Sequence, residues 1–188
     1  MALREILTEP NKLLREKSLA VEGVDEDLQK LMDDMLETMY AAPGIGLAAI
    51  QVGVPKRVIV LDIRWRDKSE STSDEKQVER KNPMYFVNPE IIAKSTNNSI
   101  YEEGCLSVPG QFAEIARPDK CHVKYLDYYG QPKEFVTEGM LATCIQHEID
   151  HLEGILFIDY LSKLKKSMFL LYKNFQRKII YQLEILKI

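Results

Sequence analysis

His147-Glu148-Ile149-Asp150-His151 decides how the rest of this chain is read. Histidines four residues apart sit one above the other on a single face of an α-helix. Both imidazoles can therefore reach one ion while Glu148 stays close to its open side. The flanking residues suit such a helix, and the sequence predicts it from Thr137, as N-cap, past His151 to a stop at Gly154. The chain has only three histidines. Chance would place some pair four apart in roughly 3% of such chains, and the correctly placed glutamate cuts that about tenfold.

A catalytic metal needs a third protein ligand and an open position. The metzincin pattern would put a histidine at position 157, but Phe157 stands there, and the gluzincin pattern would leave only Glu184, in a lysine-rich terminal segment. Cys144 lies seven residues from His151, about 10 Å along a helix axis, too far for one ion to be shared with both histidines. It is expected to line the pocket beside the metal. Cys121 and His122 are neighbours on an expected strand, facing opposite sides, and are read as structural. Cys105 remains, in Glu102-Glu103-Gly104-Cys105-Leu106-Ser107-Val108-Pro109. Its glycine and proline neighbours suggest a strand end or turn. Spacing alone leaves it either a ligand or a buried structural thiol.

Outward from this centre, Asp25 to Tyr40 has apolar residues at 3.6-residue spacing and acids at its start, which predicts a helix closed by Pro43-Gly44. Strands are expected at 57–63, 85–92, 113–116, 122–126 and 133–136, the last two joined by a hairpin at Tyr129-Gly130. Residues 64–83 hold eleven charged side chains and read as a mobile loop. From Leu161 an amphipathic terminal helix is expected. The fold class is therefore α+β, with mainly antiparallel strands around a central metal-binding helix and a helix near each end, in one domain spanning 1–188.

Composition narrows the function. Hydrophobic residues make up 45% and charged residues 29%, as in ordinary globular proteins, and the net charge is −4, so neither a disordered chain nor a nucleic-acid coat is expected. No apolar run is long enough for a membrane span and the first residues lack an apolar signal core. Three cysteines are an odd number that suits free or metal-bound thiols in a reducing compartment, so the expected location is cytoplasmic. Gly44-x-Gly46-x-x-Ala49 resembles a dinucleotide fingerprint, but it follows a helix instead of a strand and lacks the Lys-Ser/Thr of a P-loop.

Three ordered blocks resemble the signatures of the peptide deformylase family: Gly44-Ile45-Gly46-Leu47-Ala48-Ala49-Ile50-Gln51, Glu103-Gly104-Cys105-Leu106-Ser107, and Gln146 to Gly154 around the two histidines. The resemblance implies a divalent metal held by Cys105, His147 and His151, with Fe²⁺ the usual ion and Zn²⁺, Ni²⁺ or Co²⁺ as substitutes. It implies an N-formyl-methionyl peptide as substrate, Glu148 as the proton carrier, and Gln51 with the Leu106 amide as donors to the formyl oxygen. It further implies that Ile45, Tyr101, Glu103, Met140, Thr143 and Cys144 line or border the methionine pocket, while the backbone of Ile45 and Gly46 pairs with the substrate. The overall length and terminal helix resemble the bacterial class. Two features depart from it: the charged stretch is longer, and Phe112 stands where many relatives carry an arginine. The alternatives are a zinc metalloprotease cutting internal peptide bonds, which lacks its usual third ligand here, and a structural metal site, which would need four protein ligands and leave Glu148 without a purpose. Residues 160–188 carry a net +6 against −10 for the remainder. A basic helix on an otherwise acidic protein is either an ordinary solvated face or, as the resemblance to the bacterial class implies, an element that docks on the ribosome, where RNA attracts lysine and arginine without sequence-specific recognition.

Overall fold

The computed structural model describes residues 2–63 and 81–169. The charged stretch therefore falls almost wholly outside the described residues, as does the terminal helix beyond position 169. Helix α1 (Glu26–Ala41) starts where expected: the Asp25 side chain accepts from the Leu28 N–H at 2.8 Å, and Glu26 and Asp27 oppose the positive end of the helix dipole. Seven strands follow: β1 (Gly46–Ala48), β2 (Val58–Leu61), β3 (Met84–Lys94), β4 (Asn98–Cys105), β5 (Val108–Pro118), β6 (Lys120–Leu126) and β7 (Pro132–Glu138). All pairings between them are antiparallel. One sheet has the order β1-β2-β3-β6-β7, and β4 pairs with β5 in a separate two-stranded ribbon.

The larger sheet is covered on both faces, which explains why β2 reads as an unbroken apolar run. Val58 and Val60 pack with Leu28, Met32, Met35 and Met39 of α1. Ile59 and Leu61 pack on the other face with Ala142, Ile145 and Leu152 of the second helix, α2 (Gly139–Leu152). Each fully buried side chain of this kind stabilises the fold by about 1.5–3 kcal/mol.

Two expectations need correction. Thr137 is not the N-cap of α2. It is a buried strand residue opposite Cys121, because the β6–β7 ladder runs on to the Lys120–Glu138 pair. The chain turns only at Gly139, whose φ of +64° suits glycine, and Glu138 precedes the helix without a capping bond. Strand β4 was not expected as a strand at all, and β5 is longer than 113–116 at both ends. Much of β4 faces outward with polar side chains, which conceals its period. At the other end of α2, the chain leaves through Gly154 at φ +74°, where a Cβ would come within 2.5 Å of the Arg15 carbonyl oxygen. A further helix begins at position 163. Among the described residues no helix is long and apolar enough to cross a membrane.

Candidate metal centre

The ribbon and α2 meet at Cys105. The β4–β5 register slips between Gly104 and Cys105, so that Cys105 pairs with Val108 after Gly104 has paired with Phe112. Such irregularities re-aim side chains. Here Cys105 Sγ lies 3.2 Å from His151 Nε2, and the donor atoms of Cys105, His147 and His151 lie within 4.8 Å of one another. This geometry makes Cys105 the candidate third ligand: of the three cysteines, only Cys105 groups with the two histidines. Cys121 is buried in the core and His122 is partly exposed near Glu134 on β7. Burial, with Glu148 and Glu103 nearby, pushes the Cys144 thiol up to about 12, which keeps it protonated and unfit as a thiolate ligand.

The donors are also oriented for a cation. The Nδ1 of His147 is 2.8 Å from Glu103 Oε2, so a proton on Nδ1 leaves Nε2 as the lone pair on the Cys105 side. Arg117 holds Glu103 through Nε to Oε1 and Nη2 to Oε2, the latter at 3.0 Å, and reaches Asp150 Oδ2 through Nη1 at 2.7 Å. Tyr160 donates to the same Asp150 oxygen at 2.9 Å and lies against the guanidinium. Burial pushes the Glu103 carboxyl up, but His147 and Arg117 outweigh it, and Glu103 stays below its ordinary value. Soft sulfur with two imidazole nitrogens suits Fe²⁺ or Zn²⁺, and three protein ligands leave a position open. The residues present fit the group.

Glu148 is buried beside this cluster, and its Oε2 has no hydrogen-bond partner among the described residues. Burial lifts its carboxyl to about 7, with Glu103 and Asp150 adding to the rise while His147 and Arg117 oppose it. A cation held by the neighbouring donors would pull the other way. Gly46 leaves room for this carboxylate: a Cβ there would collide with Glu148 Oε1 and come within 2.8 Å of Leu61 Cδ2.

Gln51, on a 3-10 turn after β1, accepts from the Ala48 N–H through Oε1 at 2.8 Å. That bond fixes its amide, and Nε2 then faces Ser107 Oγ at 3.0 Å and Cys105 Sγ at 3.6 Å. Leu106 follows Cys105 and packs under Gly44, where a Cβ would lie 2.7 Å from Leu106 Cδ1. Met140, Thr143, Cys144 and His147 recur at helical spacing along α2, with Thr143 and Cys144 buried and Met140 exposed. The Tyr101 hydroxyl reaches the start of that helix, 3.6 Å from where a Gly139 Cβ would be. Ile45 packs with the α2-side core. Glu103, expected at the pocket border, has both carboxylate oxygens engaged by Arg117 and His147. Sequence reasoning missed Arg117, Asp150, Ser107 and Tyr160, none of which carries a local signal for its partner.

A family model described as polypeptide deformylase matches residues 3–167. A peptide deformylase of Pelagibacter ubique is 63% identical over 168 residues, covering 89% of this chain and 91% of that protein. One from Maricaulis maris is 59% identical over 167 residues, covering 89% and 90%. The crystal structure of a peptide deformylase from Ehrlichia chaffeensis superposes with a TM-score of 0.84 at 41% identity, covering 95% of this chain and 99% of that one.

Proposed function

The chain belongs to the peptide deformylase family and removes N-formyl groups from nascent peptides; we propose that Cys105, His147 and His151 hold the divalent metal and that Glu148 carries the proton. The single observation that supports this reading best is the gathering of those three donors within 4.8 Å, beside a buried carboxylate oxygen without a partner. Fe²⁺ is the proposed physiological ion, with Zn²⁺, Ni²⁺ or Co²⁺ able to replace it.

When bound, the ion lowers the pKa of water and polarises the formyl carbonyl. The remaining work falls to the chain. Glu148 accepts the proton of the attacking water and returns it to the departing amine, a task suited to a buried carboxylate whose Oε2 has no other partner among the described residues. Gln51 Nε2, already aimed at the cysteine sulfur, and the Leu106 N–H donate to the oxyanion that develops on the formyl oxygen. Glu103 and Arg117 fix the orientation of His147. Tyr101, Met140, Thr143 and Cys144 border the methionine side chain. Among the described residues β1, which starts at Gly46, is an edge strand paired with β2, and the backbone groups of Ile45 and Gly46 are proposed to pair with the substrate.

Residues 1–188 act as one domain, in the cytoplasm, where three unbridged cysteines are stable. The basic segment 160–188 docks on the ribosome. Formate release from a formyl-methionyl peptide, set beside cleavage of an N-blocked peptide without formyl, tests the activity. Hydrolysis of internal bonds without formate release would overturn it. For docking, truncation after Ser167 should weaken pelleting with ribosomes and leave short-peptide turnover largely intact. Binding that is unchanged by truncation and indifferent to salt would remove the ribosome assignment.

A further inference from the structure

A second concave site lies away from the metal cluster, where the beginning of β3 and the β6–β7 hairpin meet α1. It is a groove of about 550 Å³ walled by Tyr85, Tyr125, Tyr128 and Tyr129, with Asp33 and Asp127 at its margin. Tyr85 and Tyr128 belong to the core layer beneath α1, on the sheet face opposite α2. The rings brace one another: Tyr85 and Tyr128 have centroids 4.9 Å apart, and Tyr129 meets Tyr128 edge-on at 5.2 Å. Tyr129 is nevertheless 74% exposed, an unusual place for a large ring held so firmly by a neighbour.

The two carboxylates are only half used. Asp33 accepts from the Tyr128 hydroxyl through Oδ2 at 3.1 Å, and its Oδ1 has no hydrogen-bond partner among the described residues. Asp127 uses Oδ1 for the N–H groups of Tyr129 and Gln131 in the hairpin turn, while Oδ2 forms a long ion pair with Lys133 Nζ at 3.9 Å and no hydrogen bond among the described residues. Burial raises the Tyr85 phenol to about 12, and the nearby Asp33 adds to the rise. Aromatic faces with unspent carboxylate oxygens at the rim are the chemistry that receives an organic cation.

We propose that this groove binds an arginine side chain from an extended basic polypeptide segment. A guanidinium can stack on a tyrosine ring while its forked N–H groups reach a rim carboxylate, and lysine offers no such plane. The surrounding charge favours the same partner: residues 1–159 carry a net −10, which attracts basic protein and repels nucleic-acid phosphate. The site is independent of the deformylase assignment.

The test uses the full chain and fluorescein-labelled Gly-Arg-Gly-Arg-Gly-Arg-Gly, with lysine and citrulline versions, read by anisotropy at physiological salt. Arginine should bind tighter than lysine and citrulline least. Asp33→Asn and Tyr129→Ala, the latter at an exposed ring, should each weaken arginine binding about fivefold or more, whereas Glu114→Gln, which removes an equal charge from exposed β5, should change it less than about twofold. Formate release should be unchanged in all three variants. Equal losses in Asp33→Asn and Glu114→Gln, equal binding of arginine and citrulline peptides, or a preference for labelled oligouridine would overturn the proposal.

Discussion

Gly46→Ala puts the account of Glu148 under its strictest geometric test. The added methyl would overlap Glu148 Oε1, come within 2.8 Å of Leu61 Cδ2 and within 2.9 Å of Glu148 Cδ. Ordinary contacts between such atoms lie near 3.5–4 Å, so one partner must retreat by about 1 Å. Leu61 is locked in the core between β1 and β3, and β1 is held to β2 by its ladder, so the carboxylate gives way. A displacement of about 1 Å in a reacting group costs on the order of 10²-fold in turnover. The proposed ligands Cys105, His147 and His151 are untouched, and metal content should match that of the unaltered protein. Steady-state formate release with parallel elemental analysis reads both quantities. Turnover within about threefold of normal would show that Glu148 has slack and that its position is not what the reaction depends on. Loss of metal would mean that Gly46 supports the ligands instead.

Other consequences follow from the same contacts. Cys105→Ser should lose most metal and activity while Cys121→Ser, in the core, keeps both; full occupancy in Cys105→Ser would dismiss the ligand set. Arg117→Met leaves Glu103 buried without its bidentate partner and should destabilise the fold by about 3–5 kcal/mol in urea unfolding; a change below about 1 kcal/mol would show that His147 alone satisfies Glu103. The Asp34 carboxyl is held below its ordinary value of 3.8 by the Ala2 N–H and then by Arg4, against burial. Its folded value is the lower one, so its stabilising contribution is complete above about pH 4 and disappears as the pH falls through the folded value. The stability difference between the wild type and Asp34→Asn should therefore be flat near neutrality and shrink in acid, and a gap that widens as the pH falls would refute the linkage.

The parts of the molecule legible in sequence were those whose signal is local. The α2 face could be read because residues three and four apart on a helix must be neighbours, and β2 because a strand covered on both sides is apolar throughout. Strand β4 was invisible for the opposite reason. Its outer face meets solvent, and its pairing with β5 supplies the order that its own residues do not advertise. The start of α2 was misplaced because threonine suits an N-cap and a strand equally, and the cross-strand partner Cys121 decides between them. At the metal centre the histidines were local, but Cys105 reaches them across 46 positions and only the slipped ribbon register brings it there. Glu103 is farther still from a sequence-level reading: its role depends on a buried arginine fourteen residues on and a histidine forty-four residues on.

Glu148 is proposed to move the proton without holding the metal. The most direct test is Glu148→Gln, loaded alongside the wild type, with metal content and formate release measured on the same samples. Normal metal occupancy with turnover reduced by about 10²–10⁴-fold is the expected result. Turnover within about threefold of the wild type, or metal lost together with activity, would contradict it.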